Sequence, residues 1–446
     1  SFEPKVLTQK RLTGLMKYTK NSPIIDKKIY KIKDSKDISV LGKAFLVEYY
    51  SISELIINIP KSHILISTIF ASHLRYKYPN MILSRYLSLF VSSFRLSAYI
   101  IRAQGIIQSG IHKYVGINGN RINKKQYQID DVSAYIKNSI LNAILFRFFD
   151  KDYKSPVLLS CIENLLRFDR NYSIKDFIFE KINAKVIGLI SSYQSDKNTL
   201  ISYLKYTFAQ SKSRSSKSSV KVLHFISNNS EVFETSNFEV LADSIIKMIN
   251  ISLSLLTYKL NDVICWILNN VYIIDRLYFE QMTIIQNYGF DITPTVISKM
   301  VLLDIVIKEV TRLTQVISFT TRCLNKSVTL SNGVTLLEDS IISLNGASVH
   351  RQVELPNVDL NLHTNPQGEN LDGLTDVSPE NLAWSAGPHM CLAKDFAANF
   401  MKQYLAILIR EYYFEPLFSR SASKHTRTLN FDRTFPKYGT IFTKRK

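Results

Sequence analysis

Apolar positions along this 446-residue chain recur mostly at steps of three and four, the spacing that lines them up on one face of a helix. Asp130–Phe149 is the clearest case, with Val132, Ile136, Ile140, Ala143 and Phe146 forming the stripe. Residues 62–150 as a whole alternate apolar and basic positions at helical spacing, as in Leu83, Leu87, Phe90, Phe94 and Leu96. Two or three further helices fit in 155–210, a long one in Phe238–Asn269, and another in 291–313. A closing helix runs through Phe400, Leu405 and Ile409. Strand-like runs are confined to Lys28–Lys33, Ile38–Tyr49 and the stretch 314–350. Between them, 352–383 is irregular and carries Pro356, Pro366 and Pro379, while Ser211–Ser219 reads as a surface connection. The expected class is mainly α with a small β region. A single domain over 1–446 is expected, its β-containing part at about 1–60 and its helical part at about 61–446.

Composition supports that layout. Only 14 glycines and 12 prolines argue for long helices over a turn-rich β architecture, and 46% apolar residues supply a large core. The net charge of +19 comes from Lys and Arg spread along the chain, not from one basic arm. It accompanies overuse of Ile, Lys, Asn, Tyr and Phe, the pattern of an AT-rich gene, so no nucleic-acid partner is expected. A basic surface remains suited to an acidic protein partner or an anionic membrane face. The uncharged runs between Lys61 and Arg75 and between Lys247 and Lys259 hold 13 and 11 residues, so no transmembrane helix is expected here. Cys161, Cys265, Cys323 and Cys391 show neither zinc-type spacing nor a disulfide framework.

One cysteine stands apart. It lies in Trp384-Ser385-Ala386-Gly387-Pro388-His389-Met390-Cys391-Leu392-Ala393: an aromatic residue first, a glycine four before the cysteine, a small residue two after. That order suits a tight loop holding a thiolate toward a buried metal, although an inert buried cysteine would satisfy the same residues. Upstream by 82 residues, Glu309-Val310-Thr311-Arg312 puts an acid and a guanidinium three apart on one helix face. Lys326–Val334 reads as a hairpin with Asn332-Gly333 at its turn.

Together these segments resemble cytochrome P450 enzymes, especially fungal members. There the cysteine loop reads aromatic-x-x-Gly-x-Arg/His-x-Cys-x-Gly/Ala, and Glu-x-x-Arg precedes it at about this distance. Val349-His350-Arg351 matches the Met-His-Arg after the hairpin, and Lys394, Phe396 and Ala397 stand where those enzymes have Arg-x-x-Ala. The resemblance covers roughly 235–415 and implies the P450 fold with heme b (iron protoporphyrin IX). It assigns Cys391 as the axial iron ligand and His389 and Arg322 as propionate partners. Gly387 and Trp384 would shape the loop, with Glu309 and Arg312 as its supporting pair. Arg85, Arg95 and Arg102 are early-helix candidates for the propionates. A heme-thiolate monooxygenase is implied, oxidising a hydrophobic small molecule, plausibly a terpenoid or indole-diterpene-like intermediate of fungal secondary metabolism. Its electrons would come from an NADPH-cytochrome P450 reductase at the cytosolic face of the endoplasmic reticulum. Relatives carry a membrane anchor just before the segment equivalent to Lys10–Tyr30; the expectation is that it is absent from this chain, as removal of an upstream piece would leave it.

Two departures from the pattern keep alternatives open. In relatives the long helix carries an acid/alcohol pair that relays protons; here the matching stretch is Ile251–Thr257, with leucines at the threonine positions. Ser254 and Thr257 are the hydroxyls that could serve, or they could simply bond back to helix carbonyls. No arginine occurs between Arg351 and Arg410 to complete the Glu-x-x-Arg unit, so either His363 substitutes, the network is rearranged, or the protein is degenerate. An oxygen-independent isomerase or dehydratase and a catalytically degenerate protein of the same fold therefore stand beside the monooxygenase.

Overall fold

The structure, a computed structural model, describes residues 5–7, 29–32, 38–41, 95–170, 191–211, 223, 238–314, 322–324, 326–338, 340–344, 350, 373–378, 381–386, 390–417 and 439–445. It divides into two compact units, one of Ser1–Lys77, Val301–Lys394 and Ser423–Arg433, the other of Tyr78–Met300, Asp395–Ala422 and Thr434–Lys446. In chain order the elements begin with β1 (Lys5–Leu7), β2 (Ile29–Ile32), β3 (Ile38–Leu41) and α1 (Leu96–Asn118). There follow β4 (Gly119–Arg121), β5 (Gln126–Ile129), α2 (Val132–Phe149), α3 (Pro156–Arg170) and α4 (Ser191–Ser211). The long α5 (Phe238–Asn269) leads to α6 (Val271–Tyr288), α7 (Pro294–Ser298) and α8 (Val301–Thr314). Short strands β6 (Arg322–Cys323), β7 (Val328–Thr329), β8 (Thr335–Leu336) and β9 (Ile341–Leu344) precede α9 (Lys394–Glu411), β10 (Tyr412–Pro416) and β11 (Thr440–Lys444).

The first unit holds a five-stranded sheet in the order β1-β2-β3-β9-β6. β3 runs parallel to β9, with Ile38 opposite Ile341 and Leu41 opposite Leu344, so the N-terminal strands join the later β region. The hairpin forms where the Asn-Gly signal put it, with Val328 opposite Leu336 and Thr329 opposite Thr335. Its turn differs in detail. Gly333 N–H donates to the Leu330 carbonyl, so Asn332-Gly333 fills the third and fourth turn positions, not the central pair. Gly333 takes φ 82°, where only a glycine sits without strain.

The second unit is helical, with a four-stranded sheet in the order β10-β11-β5-β4 at one edge. α2 starts where Asp131 accepts from Ala134 N–H, and its buried residues cover nearly the whole circumference, which makes it the centre of this unit. α1 crosses it closely enough that a Cβ on Gly110 would lie 2.2 Å from the Ser139 carbonyl oxygen. Tyr99 donates to the Ala143 carbonyl at 2.9 Å, and Ser139 pairs with Tyr404 of α9 at 2.8 Å. The Arg147 guanidinium, fully buried, lies 5.2 Å from the centre of the Tyr99 ring and 5.9 Å from that of Phe396.

Several expectations need correcting. The helical stretch 291–313 is broken: Thr293 caps a short α7 with Pro294 in its first turn, and a new helix begins at Val301. α5 has the expected limits, but by length and apolarity it is capable of crossing a membrane, contrary to the sequence-based expectation. Counting only uncharged runs hid this, because Asp243, Lys247, Lys259 and Asp262 cut Leu241–Asn269 into short runs while its mean hydropathy stays high. With 61% of that span buried and α2, α3 and α4 packed on it, α5 serves as a core helix of its unit. Ser211 closes α4, while the rest of the Ser211–Ser219 connection, the stripe from Leu83 to Phe94 and the segment 352–372 lie outside the described residues.

Candidate active site

Glu309 and Arg312 face inward from α8 and are 0% and 2% exposed, so the pair is a buried structural unit and not a solvated one. Arg312 donates from Nε to Glu309 Oε1 at 2.7 Å and from Nη2 to Oε2 at 2.8 Å, the fork-to-fork arrangement that a guanidinium and a carboxylate favour. Its third direction is used as well, since Nη1 donates to the His350 carbonyl oxygen. Within the described residues the pair is joined by the His350 carbonyl, which accepts from Arg312, while His363–Asn365 lie outside them.

From His350 the contacts lead to the cysteine loop. Its imidazole Nε2 accepts from Leu382 N–H at 2.8 Å, and both residues are buried. Leu382 opens a turn closed by Ser385 N–H on its carbonyl at 2.8 Å. Ser385 adopts φ 62°, an unusual conformation for a residue bearing a side chain, at a place where the chain must reverse direction. Trp384 is pinned by its indole N–H to the Leu374 carbonyl at 2.7 Å. Cys391 N–H then donates to the Trp384 carbonyl at 2.8 Å, closing the loop across the segment between them. Lys394, just beyond, donates to the Thr375 carbonyl at 3.0 Å.

Cys391 is in no disulfide and only half-buried, whereas Cys161 and Cys265, likewise unbridged, are buried in helices. Burial pushes the Cys161 thiol up to about 11, the behaviour of an inert cysteine. A reachable sulfur on a loop tied at its base suits a group that takes one soft protein ligand. Among the described residues no cluster of three or more His, Cys, Asp or Glu offers a competing metal site. The residues present thus fit a heme held through Cys391.

The remaining candidates divide. Arg322 sits on β6, paired with Ile342 of β9, at the edge of the first unit's sheet. Gly387, His389 and Arg85 lie outside the described residues. Arg95 caps α1 with φ 47°, and Arg102 is exposed on the same helix. On α5 the two hydroxyls face differently. Ser254 is half-buried beside Leu255, which is 42% exposed, and donates to Asn250 Oδ1 at 3.4 Å. Thr257 is buried, and its hydroxyl makes no hydrogen bond within the described residues. Among the described residues neither shows a bond back to a helix carbonyl, the alternative to a relay role. Sequence reasoning missed Leu374, Thr375 and Leu382, which act through backbone groups that any residue carries. It quoted His350 without giving it a role.

The cytochrome P450 family model matches residues 131–438, over two-thirds of the chain. Solved structures agree on the fold. The retinoic-acid-bound cyanobacterial CYP120A1 superposes with a TM-score of 0.66 at 17% identity, covering 94% of this chain and 92% of that one. The heme domain of cytochrome P450DA does so with a TM-score of 0.67 at 10% identity, covering 94% and 90%. No curated protein sequence matches the chain. The family match places the chain among heme-binding oxidoreductases. The chain belongs to the cytochrome P450 family.

Proposed function

We propose that this protein is a heme-thiolate monooxygenase that inserts one oxygen atom from O₂ into a hydrophobic small molecule. The observation that carries the reading is the unbroken series of contacts from the buried Glu309–Arg312 pair through His350 and Leu382 to the half-buried Cys391. When bound, heme b with a thiolate ligand supplies the oxygen chemistry, the sulfur's electron density favouring O–O cleavage. The chain's own residues do the rest. Cys391 would hold the iron from a loop braced by Trp384, and Arg322 of β6, together with Gly387 and His389 of the cysteine loop, would meet the porphyrin and its propionates. Ser254 holds a proton-carrying water on the open side of α5, a task to which the buried Thr257 is less suited. An NADPH-cytochrome P450 reductase at the endoplasmic reticulum supplies the electrons, and the +19 net charge suits an acidic donor surface and an anionic membrane face.

The substrate is proposed to be a terpenoid or indole-diterpene-like intermediate of fungal secondary metabolism. The retinoic acid named with CYP120A1 is itself an isoprenoid, in keeping with that class. The test is the CO-difference spectrum of the purified, reduced protein beside its Cys391→Ala variant. A red-shifted thiolate band in the first and none in the second is the expected result. Absence of the band from the unaltered protein would overturn the reading. Turnover with peroxide alone, without reductase, would instead favour an oxygen-independent activity and replace the monooxygenase assignment.

A further inference from the structure

We infer that His350 is a positioning residue that couples the Glu309–Arg312 pair to the cysteine loop, using both its carbonyl and its imidazole. The inference rests on the proposed heme-thiolate reading for its consequence, but not for its geometry. Of the five N–H donors of Arg312, Glu309 takes two and the His350 carbonyl a third, from a different side of the guanidinium. A main-chain carbonyl accepts that N–H without bringing a further charge into the buried site.

The imidazole does a different job. Nε2 accepts the Leu382 N–H, so the ring is neutral and its proton sits on Nδ1. Arginine and lysine carry no acceptor and could not hold this N–H. Leu382 is the first residue of the turn that ends at Ser385, and the Trp384 carbonyl within that turn receives the Cys391 N–H. One buried residue, 1% exposed, thus sets the height of the loop relative to α8 through two bonds made in different directions. Asn381 aids only locally, its side-chain oxygen accepting from Ala383 N–H at 3.2 Å. A histidine that merely fills core space would tolerate any residue of similar volume, and that is the distinction to be tested.

Two variants separate the roles. His350→Leu keeps volume and loses the acceptor; His350→Gln places an amide oxygen where Nε2 lies. In the heme-free chain, amide hydrogen exchange at Leu382 is expected to quicken about tenfold in His350→Leu, the effect of one lost buried hydrogen bond. In His350→Gln it is expected to return close to the original rate. After heme loading, the reduced CO complex of His350→Leu should shift toward the protonated-thiol form, with His350→Gln restoring the thiolate band. Unchanged exchange in His350→Leu, or no recovery in His350→Gln, overturns the inference. If His350→Leu does not fold, His350→Gln must still fold with Leu382 protected, and an unprotected amide there overturns it equally. The exchange measurement needs no heme, so a failed thiolate band in the unaltered protein would sink the monooxygenase reading while leaving this one decided.

Discussion

Replacing Arg312 by lysine preserves the charge and tests whether shape or charge matters in the buried pair. The guanidinium makes three hydrogen bonds, two to the Glu309 carboxylate and one to the His350 carbonyl. An ammonium on a linear stem reaches the carboxylate at one point and cannot serve the carbonyl behind it. Two bonds to or from charged groups are lost, each worth about 1.5–3 kcal/mol, and a buried carbonyl is left without a donor. The retained charge attraction offsets part of this, leaving a net loss of about 3–5 kcal/mol, comparable to breaking a buried pair outright. With domain stabilities of about 5–15 kcal/mol, the first unit should unfold at much lower denaturant. The chain's two tryptophans allow that unit to be followed alone, because Trp266 lies on α5 in the second unit and Trp384 in the first. In a Trp266→Phe background, urea unfolding followed by Trp384 fluorescence should show a midpoint shift equivalent to at least about 3 kcal/mol in Arg312→Lys. A shift below about 0.5 kcal/mol, the range of ordinary surface changes, would refute the claim that the forked geometry holds this site together.

Three further outcomes are expected. Gly110→Ala should destabilise the second unit by about 1–3 kcal/mol or more, because its Cβ would lie 2.2 Å from the Ser139 carbonyl oxygen. Gly105→Ala and Gly116→Ala, with open space at both positions of the same helix, should raise stability by about 0.5–1 kcal/mol; thermal unfolding compares the three. Burial raises the Cys161 thiol from 9.0 to about 11, so the folded state keeps a proton that the unfolded state releases. The stability difference between the unaltered protein and Cys161→Ala should be flat below pH 9. It should then fall as pH rises from 9 to 11, by at most about 1.4 kcal/mol per unit, and a slope of opposite sign would contradict the assignment. Finally, Ser254→Ala should increase peroxide released per NADPH consumed, while Thr257→Val leaves that ratio unchanged; equal effects would contradict the different exposure of the two hydroxyls.

What could be read beforehand follows from where the information resides. α2 and α5 were legible because their apolar residues repeat at the helical period and continue long enough to outweigh local exceptions, and both form at the expected limits or within two residues of them. The break between α7 and α8 was not legible. Ile297, Met300, Leu303, Ile307 and Val310 keep steps of three and four across it, and a stripe of apolar positions does not record the capping by Thr293 or the restart at Val301. Pairing of β3 with β9 joins residues some 300 apart, which short runs without a turn between them cannot specify.

The site divides along the same line. Residue identities announced Cys391, Glu309 and Arg312, since a thiolate and a forked ion pair require those side chains. The contacts between them pass mainly through backbone groups: the carbonyls of His350, Leu382 and Trp384 and the N–H groups of Leu382, Ser385 and Cys391. Such groups are present at nearly every position, so no spacing rule marks them. The absent second arginine pointed to a defect only so long as a charged side chain was taken to be necessary. A buried guanidinium requires acceptors, not another cation, and a main-chain carbonyl meets that need without adding a charge to desolvate. At this site both Glu309 carboxylate oxygens are met by Arg312, and the guanidinium's remaining side reaches the His350 carbonyl, so the buried pair is hydrogen-bonded without a further cation.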